Sequence, residues 1–388
     1  MNTTRTNSFR SVPVFLAFLC MGFGDAVGPF VGLAKEHFQL SNFMATLIQF
    51  VGFMMFFIIS IPMGIYQDKK NKKHVLGLGL IVALIGLVIP IFKGLESYAF
   101  FLLAVLLLGG GAAILQVAGN PIMRDVSPEG KYSRNLSFGQ FVKAIGSLSG
   151  PIIPVIAARW LGAGWEVIFP IYSIALLITL IILSLTKIDE KKEEGASPVT
   201  FASSFNLLGN GYVAMMVLGI FIYVGAEQCV SSGIPLFLNE KFGIDIESLG
   251  VAGTGLFFFT LMIGRFLGGL ILNWMSAKSF LVTTVLFSFL GIIGLLAGPQ
   301  AIVVVSILLI GLSFANIFPL IFSITVDRMP ERTNELSGLM VTAIVGGAIL
   351  PLIMGKLADV SNITIGLLVP LAGMLYIAYV ALRTVKIK

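Results

Sequence analysis

From Ser279 to Val326 the chain carries no charged residue. A soluble domain does not leave a run of that length without charge, and one membrane-crossing helix needs only about 20 apolar residues. Gly298-Pro299-Gln300 interrupts the run with turn-forming residues and divides it into two crossings. The rest of the sequence follows the same pattern, with long uncharged runs separated by short polar clusters. Only 11% of the 388 residues are charged and 57% are hydrophobic, against about 25% charged in an ordinary soluble domain. The runs are continuous, unlike the alternating ten-residue segments of a β-barrel. The expected fold class is therefore an all-α membrane protein. Twelve transmembrane helices are predicted over 12–34, 43–66, 75–93, 97–123, 135–158, 166–186, 208–234, 247–272, 279–297, 301–326, 335–355 and 362–382.

The polar stretch 187–204 contains KIDEKKEEGASP and reads as a solvated linker. It separates an N-terminal six-helix bundle, 1–186, from a C-terminal one, 205–388. With the N-terminus inside, nineteen of the 25 Lys and Arg residues fall in cytoplasmic segments, five fall outside, and Lys143 lies within a span. That asymmetry puts both termini in the cytoplasm. It also accounts for the net charge of +6 without a nucleic-acid partner. The first run is too long for a signal peptide, contains Asp25 and has no clear cleavage site. Cys20 and Cys229 both fall in apolar runs and read as buried free thiols.

The two halves resemble each other. LSFGQFVKAIGSLSGP (Leu136–Pro151) and LSGLMVTAIVGGAILP (Leu336–Pro351) share an opening Leu-Ser, a central Gly and a closing Pro, each displaced by 200 positions. Pro128-Glu129 and Pro330-Glu331 precede them. Gly64-Ile-Tyr-Gln-Asp68 with its lysines has a counterpart in Gly269-Leu-Ile-Leu-Asn273 and Lys278. Duplicated helical halves are a mark of secondary transporters, with the solute site near the bilayer midplane at the repeat interface.

Gly64-x-x-x-Asp68-Lys-Lys-x-Lys-Lys resembles the signature between the second and third helices of the major facilitator superfamily. Val117-Ala-Gly-Asn120-Pro121, Asn135-Leu-Ser-Phe-Gly-Gln140, Tyr223-Val-Gly-Ala226, Gly264-Arg265-Phe266, Phe318-Pro319-x-x-Phe322-Ser323 and Gly346-Gly347 extend the resemblance, in order, to its fucose permease-like branch of fucose–galactose–glucose:proton symporters. The resemblance implies a proton-coupled sugar importer of the inner membrane, working by alternating access. It implies that Asp68 locks a cytoplasmic gate, although its counterpart in the second half is Asn273. It further implies that an aspartate of the first helix, here Asp25, and a glutamate of the fourth serve sugar and proton. The fourth helix of this chain has Gln116 instead. Gln140 matches a sugar-contacting glutamine. Three residues on, where the branch commonly has a small polar residue, stands Lys143.

Asp25, Lys143 and Glu227 lie near the middle of predicted spans. A charge at the bilayer centre costs roughly 2.5–3.5 kcal/mol or more, so such groups face a cavity or pair with one another, and they are functional candidates by default. Asp25 has Gly22, Gly24, Gly28 and Pro29 around it, which suits a bending, pore-lining helix. It is expected to take a proton or bind a sugar hydroxyl, with a structural pair to Lys143 as the alternative. Glu227 is expected either to replace the acid lost at Gln116 or to be a second partner for Lys143, with Ser231 one turn on. Lys143 shares a helix face with Gln140 and Ser147. It reads as a fixed counter-ion, or else as the ligand of an anionic sugar or small organic acid.

Gln49, Gln116, Asn120, Gln140, Gln228 and Asn316 supply amides for hydroxyl recognition, and Phe23, Phe141, Tyr223 and Phe318 are candidate stacking platforms, though ordinary packing serves for most aromatics. Arg124, Asp125, Arg265, Asp327 and Arg328 are expected at cytoplasmic helix ends. Arg124 and Arg265 join Asp68 as gate candidates. His37 and His74 fall in short loops. No phosphate loop, metal cluster or nucleophile–base set is legible. The expectation is a monomeric, non-enzymatic sugar carrier in the lipid bilayer, without cofactor or metal. Export of amphipathic drugs is the alternative within transport, and binding without transport is the alternative outside it.

Overall fold

A computed structural model describes residues 5–25, 34–190, 198–244 and 251–386. Its long helices are α1 (Arg5–Asp25), α2 (Asn42–Lys69), α3 (Lys72–Lys93), α4 (Tyr98–Asp125), α5 (Tyr132–Ile156), α6 (Ile168–Leu185), α7 (Gly211–Phe242), α8 (Val251–Ile271), α9 (Ala277–Ala297), α10 (Gln300–Phe314), α11 (Ile317–Arg328), α12 (Thr333–Thr342), α13 (Gly346–Val360) and α14 (Leu368–Lys386). Among the described residues, eleven helical stretches are long and apolar enough to cross a membrane, and Ser11–Asp25 is a shorter apolar helix. Gly28 and Pro29, with most of the second half of the first predicted span, lie outside the described residues, as does 191–197 of the linker.

Two predicted spans are interrupted. The tenth is split into α10 and α11 at Ala315 and Asn316, and the eleventh into α12 and α13 by a 3-10 turn over Ala343–Val345. The helices sort their side chains as a lipid-embedded protein must. Phe57, Ile174, Leu286, Val305 and Leu375 are exposed, which in water would be an aggregation surface and in hydrocarbon carries no penalty. Inside, α4 is buried at every residue from Leu108 to Met123, and α11 at every residue from Ile317 to Val326.

The chain forms two compact units. Unit 1 gathers the described parts of Met1–Asn135, Val142–Asn206 and Met329–Thr342; unit 2 gathers Leu136–Phe141, Leu207–Arg328 and Ala343–Lys388. Each unit therefore takes in the opening turns of a span whose remainder belongs to the other. In unit 1, α12 packs on α2, with the Asn334 carbonyl in the place a Cβ on Gly64 would need. Ser337 Oγ donates to the Val117 carbonyl at 2.6 Å. In unit 2, Phe138 and Phe141 pack on Phe266, with ring centroids 5.9 and 5.3 Å apart.

The glycines 200 positions apart do the same work. A Cβ on Gly146 would overlap the Leu19 carbonyl, and one on Gly346 would overlap the Phe221 carbonyl. In unit 1 this lets α5 cross α1 at backbone contact, and in unit 2 it lets α13 cross α7 in the same way. Small residues are what permit such close helix crossings in lipid.

Candidate functional site

The α1–α5 crossing in unit 1 brings three polar side chains together. Lys143 Nζ lies 3.0 Å from Asp25 Oδ2, and it donates to Gln116 Oε1 of α4 at 3.2 Å. Ser147, one turn after Lys143, donates to the same Asp25 oxygen at 3.1 Å. The lysine is sunk and the acid is open: their side chains are 11% and 41% exposed. Asp25 thus presents a carboxylate surface backed by an ammonium. Asn120, one turn beyond Gln116, is fully buried, and its amide atoms have no hydrogen-bond partner among the described residues. An unmet buried polar group costs roughly 1–3 kcal/mol, so a residue kept in that condition needs a reason.

Unit 2 holds a second pair. Arg265 Nη2 stands 3.9 Å from Glu227 Oε1, with side chains 11% and 12% exposed. Arg265 Nη1 donates to the Gln140 carbonyl at 3.3 Å. The expectation of Arg265 as a charge at a helix end therefore gives way to an interior arginine. Arg265 is buried on α8, and it is the cation beside Glu227. The side-chain amide Nε2 of Gln140, Arg265 Nε and Asn316 Oδ1 are buried without hydrogen-bond partners among the described residues. From the break between α10 and α11, Asn316 Nδ2 donates to the Gly264 carbonyl of α8 at 2.7 Å.

The other expected residues are dispersed. Gln49 is exposed on α2, and Gln228 is half-buried, its carbonyl accepting from Ser231 and Ser232. Asp68 accepts from Asn334 Nδ2 at 3.0 Å and from the Val199 amide at 3.1 Å, while Gln67 Nε2 donates to Asn334 Oδ1 at 2.9 Å. Arg124 sits at the last turn of α4 beside Asp125, which pairs with Lys72 at 2.6 Å. The aromatic candidates are occupied by packing. Phe23 stacks on Tyr172 at 3.8 Å, Phe141 meets Phe266, and Phe318 meets Phe322. Tyr223 is fully buried and donates to the Phe314 carbonyl at 2.8 Å. His37 bonds the Leu95 carbonyl and His74 the Tyr66 hydroxyl. Among the described residues no group of His, Cys, Asp and Glu is placed to hold a metal ion. The sequence does not single out Gln67 and Asn334, which bridge to each other, and it offers Arg265 as a gate charge rather than as the partner of Glu227. A signal for that partnership was present, since Arg265 lies six residues inside the end of its helix.

Known proteins agree with this architecture. The family model described as Major Facilitator Superfamily matches residues 14–352. A glucose/galactose transporter of Brucella abortus is 30% identical over 397 residues, covering 98% of this chain and 95% of the relative. The L-fucose-proton symporter of Escherichia coli is 26% identical, over 87% and 84% of the two chains. The crystal structure of the Escherichia coli fucose:proton symporter FucP superposes with a TM-score of 0.84 at 21% identity, covering 99% of each chain. A duplicated helical carrier fold, paired intramembrane charges and a family match over most of the length lead to one conclusion: the chain belongs to the major facilitator superfamily.

Proposed function

We propose that this chain imports a neutral monosaccharide across the bacterial inner membrane together with protons, by alternating access, as a monomer with both termini cytoplasmic. The observation that carries the substrate class is charge balance. Each intramembrane acid has its own cation, Asp25 with Lys143 and Glu227 with Arg265, so neither cluster offers a free charge to an ionic solute. What remains in unit 1 is hydrogen-bonding capacity: the open face of Asp25 and, buried behind it, the unmet side-chain amide of Asn120. Hydroxyl-rich neutral solutes are recognised by such groups. The glucose/galactose name of the Brucella abortus relative and the proton-symporter name of the Escherichia coli one support the same reading. Because Lys143 is engaged by Asp25 and Gln116, a neutral sugar fits better than a sugar acid.

In this reading the sequence halves 1–186 and 205–388 are the rocking bodies. Asn334, held by Gln67 and Asp68, belongs to the cytoplasmic gate. The test is a solute panel in proteoliposomes, with and without an imposed inward pH gradient. Hexose accumulation that collapses when the gradient is dissipated is the expected result. Uptake of sugar acids but not hexoses would overturn the substrate class, and accumulation indifferent to the gradient would overturn the coupling.

A further inference from the structure

The two acids are held in unlike ways. At Asp25 the ammonium of Lys143 is in hydrogen-bond contact at 3.0 Å, and Gln116 steadies it from behind. The backbones of α1 and α5 meet at Gly22 on the Lys143 carbonyl and at Gly146 on the Leu19 carbonyl, so any motion that keeps this crossing keeps the pair. At Glu227 the guanidinium stands 3.9 Å off and is shared with the Gln140 carbonyl, and its Nε has no partner among the described residues.

The other polar groups facing each acid do not alter the contrast. At Asp25, α5 adds the Ser147 hydroxyl, α4 brings only amides, and the Tyr172 hydroxyl of α6 is bonded to Ser149. The charged residues of α3 lie in its first and last turns. At Glu227, α8 supplies Arg265, and the Tyr223 hydroxyl, one turn back on α7, faces the carboxylate as a neutral group while donating to the Phe314 carbonyl. The charged residues of α11 and α14 lie in their last turns, and Lys356 and Asp359 lie in the last two turns of α13. A buried carboxylate must have a counter-charge to persist in the membrane. Asp25 has one in hydrogen-bond contact, whereas Glu227 has one only at 3.9 Å.

We propose that Lys143 occupies the place of a coupling cation at Asp25, so that Asp25 stays ionised and reads sugar hydroxyls, while Glu227 is the carboxylate that takes up the translocated proton outside and releases it inside. The inference rests on the sugar-carrier reading, and it makes Lys143 a positioning residue. The tethered ammonium neutralises Asp25 throughout the cycle and no proton is exchanged there. Protonation of Glu227 instead releases the Arg265 guanidinium from an incomplete pair.

Two measurements on the full-length protein test this, one of them without sugar. An infrared pH titration of purified protein should show a protonated-carboxyl band on acidification that E227Q removes and D25N keeps. K143Q should add a second band from Asp25, and K143R should not. A band lost in D25N and retained in E227Q overturns the assignment whatever the substrate proves to be. In proteoliposomes with radiolabelled galactose and glucose as probes, E227Q should lose pH-driven accumulation by at least about tenfold while counterflow falls much less. K143Q should make counterflow acid-dependent, and K143R should restore the wild-type pH profile. A K143Q profile identical to wild type would overturn the role of Lys143. Failure of the wild type to move either probe would count against the hexose reading and leave the titration to decide the proton site.

Discussion

Unit 1 and unit 2 solve one problem twice, with different precision. Both cross a pair of helices at a glycine, and both hold an acid and a base in the interior. In unit 1 the ion pair is closed at 3.0 Å and the acid is open, with 41% of its side chain exposed. In unit 2 the pair is open at 3.9 Å and the acid is sunk, at 12%. Coulomb attraction falls with distance, but direct contact adds charge-assisted hydrogen bonding, which is the stronger contribution. A duplicated frame therefore need not give duplicated roles. Under the proposal above, unit 1 keeps its charges together and unit 2 lets them part.

The sharpest way to break the comparison is Asp25→Asn. It removes the exposed acceptor and leaves Lys143 unpaired in the interior, so hexose accumulation and counterflow should both fall to background in vesicle flux assays. Glu227→Gln should instead separate the two activities, so an equal loss of both would erase the distinction between the units.

The glycine crossings come next. Gly146→Val and Gly346→Val each force a side chain into a backbone carbonyl, and overpacking of this kind costs roughly 1–3 kcal/mol. Both variants should lower the thermal unfolding midpoint in detergent by similar amounts. A drop at one position alone would show that the crossings are not equivalent.

Asn334→Ala should have the smallest effect. It deletes hydrogen bonds to Gln67 and Asp68, each worth about 1 kcal/mol net, and so should change accumulation severalfold and lower the unfolding midpoint by no more than the glycine variants do.

Much of the frame was legible before any coordinates. Charge-free runs fixed the spans because hydrocarbon excludes ions, whatever those helices pack against. The 200-residue offset pointed to Gly146 and Gly346, and both proved to be crossing points. What could not be read was which cation meets which acid. From the sequence, Lys143 can pair with Asp25 or with Glu227, and Arg265 reads as a charge at a helix end.

Spacing along a helix assigns a residue to a face but says nothing of the neighbour across the gap, and the step from 3.0 to 3.9 Å in that gap separates a closed pair from an open one. The aromatic candidates were uncertain for the same reason, since Phe23 and Tyr223 are taken up by Tyr172 and the Phe314 carbonyl. By itself the sequence determined a helical, duplicated membrane carrier, because solvation in lipid acts on each segment separately. Only the tertiary structure decided the partners, because an ion pair is a property of two segments and of the distance at which packing holds them.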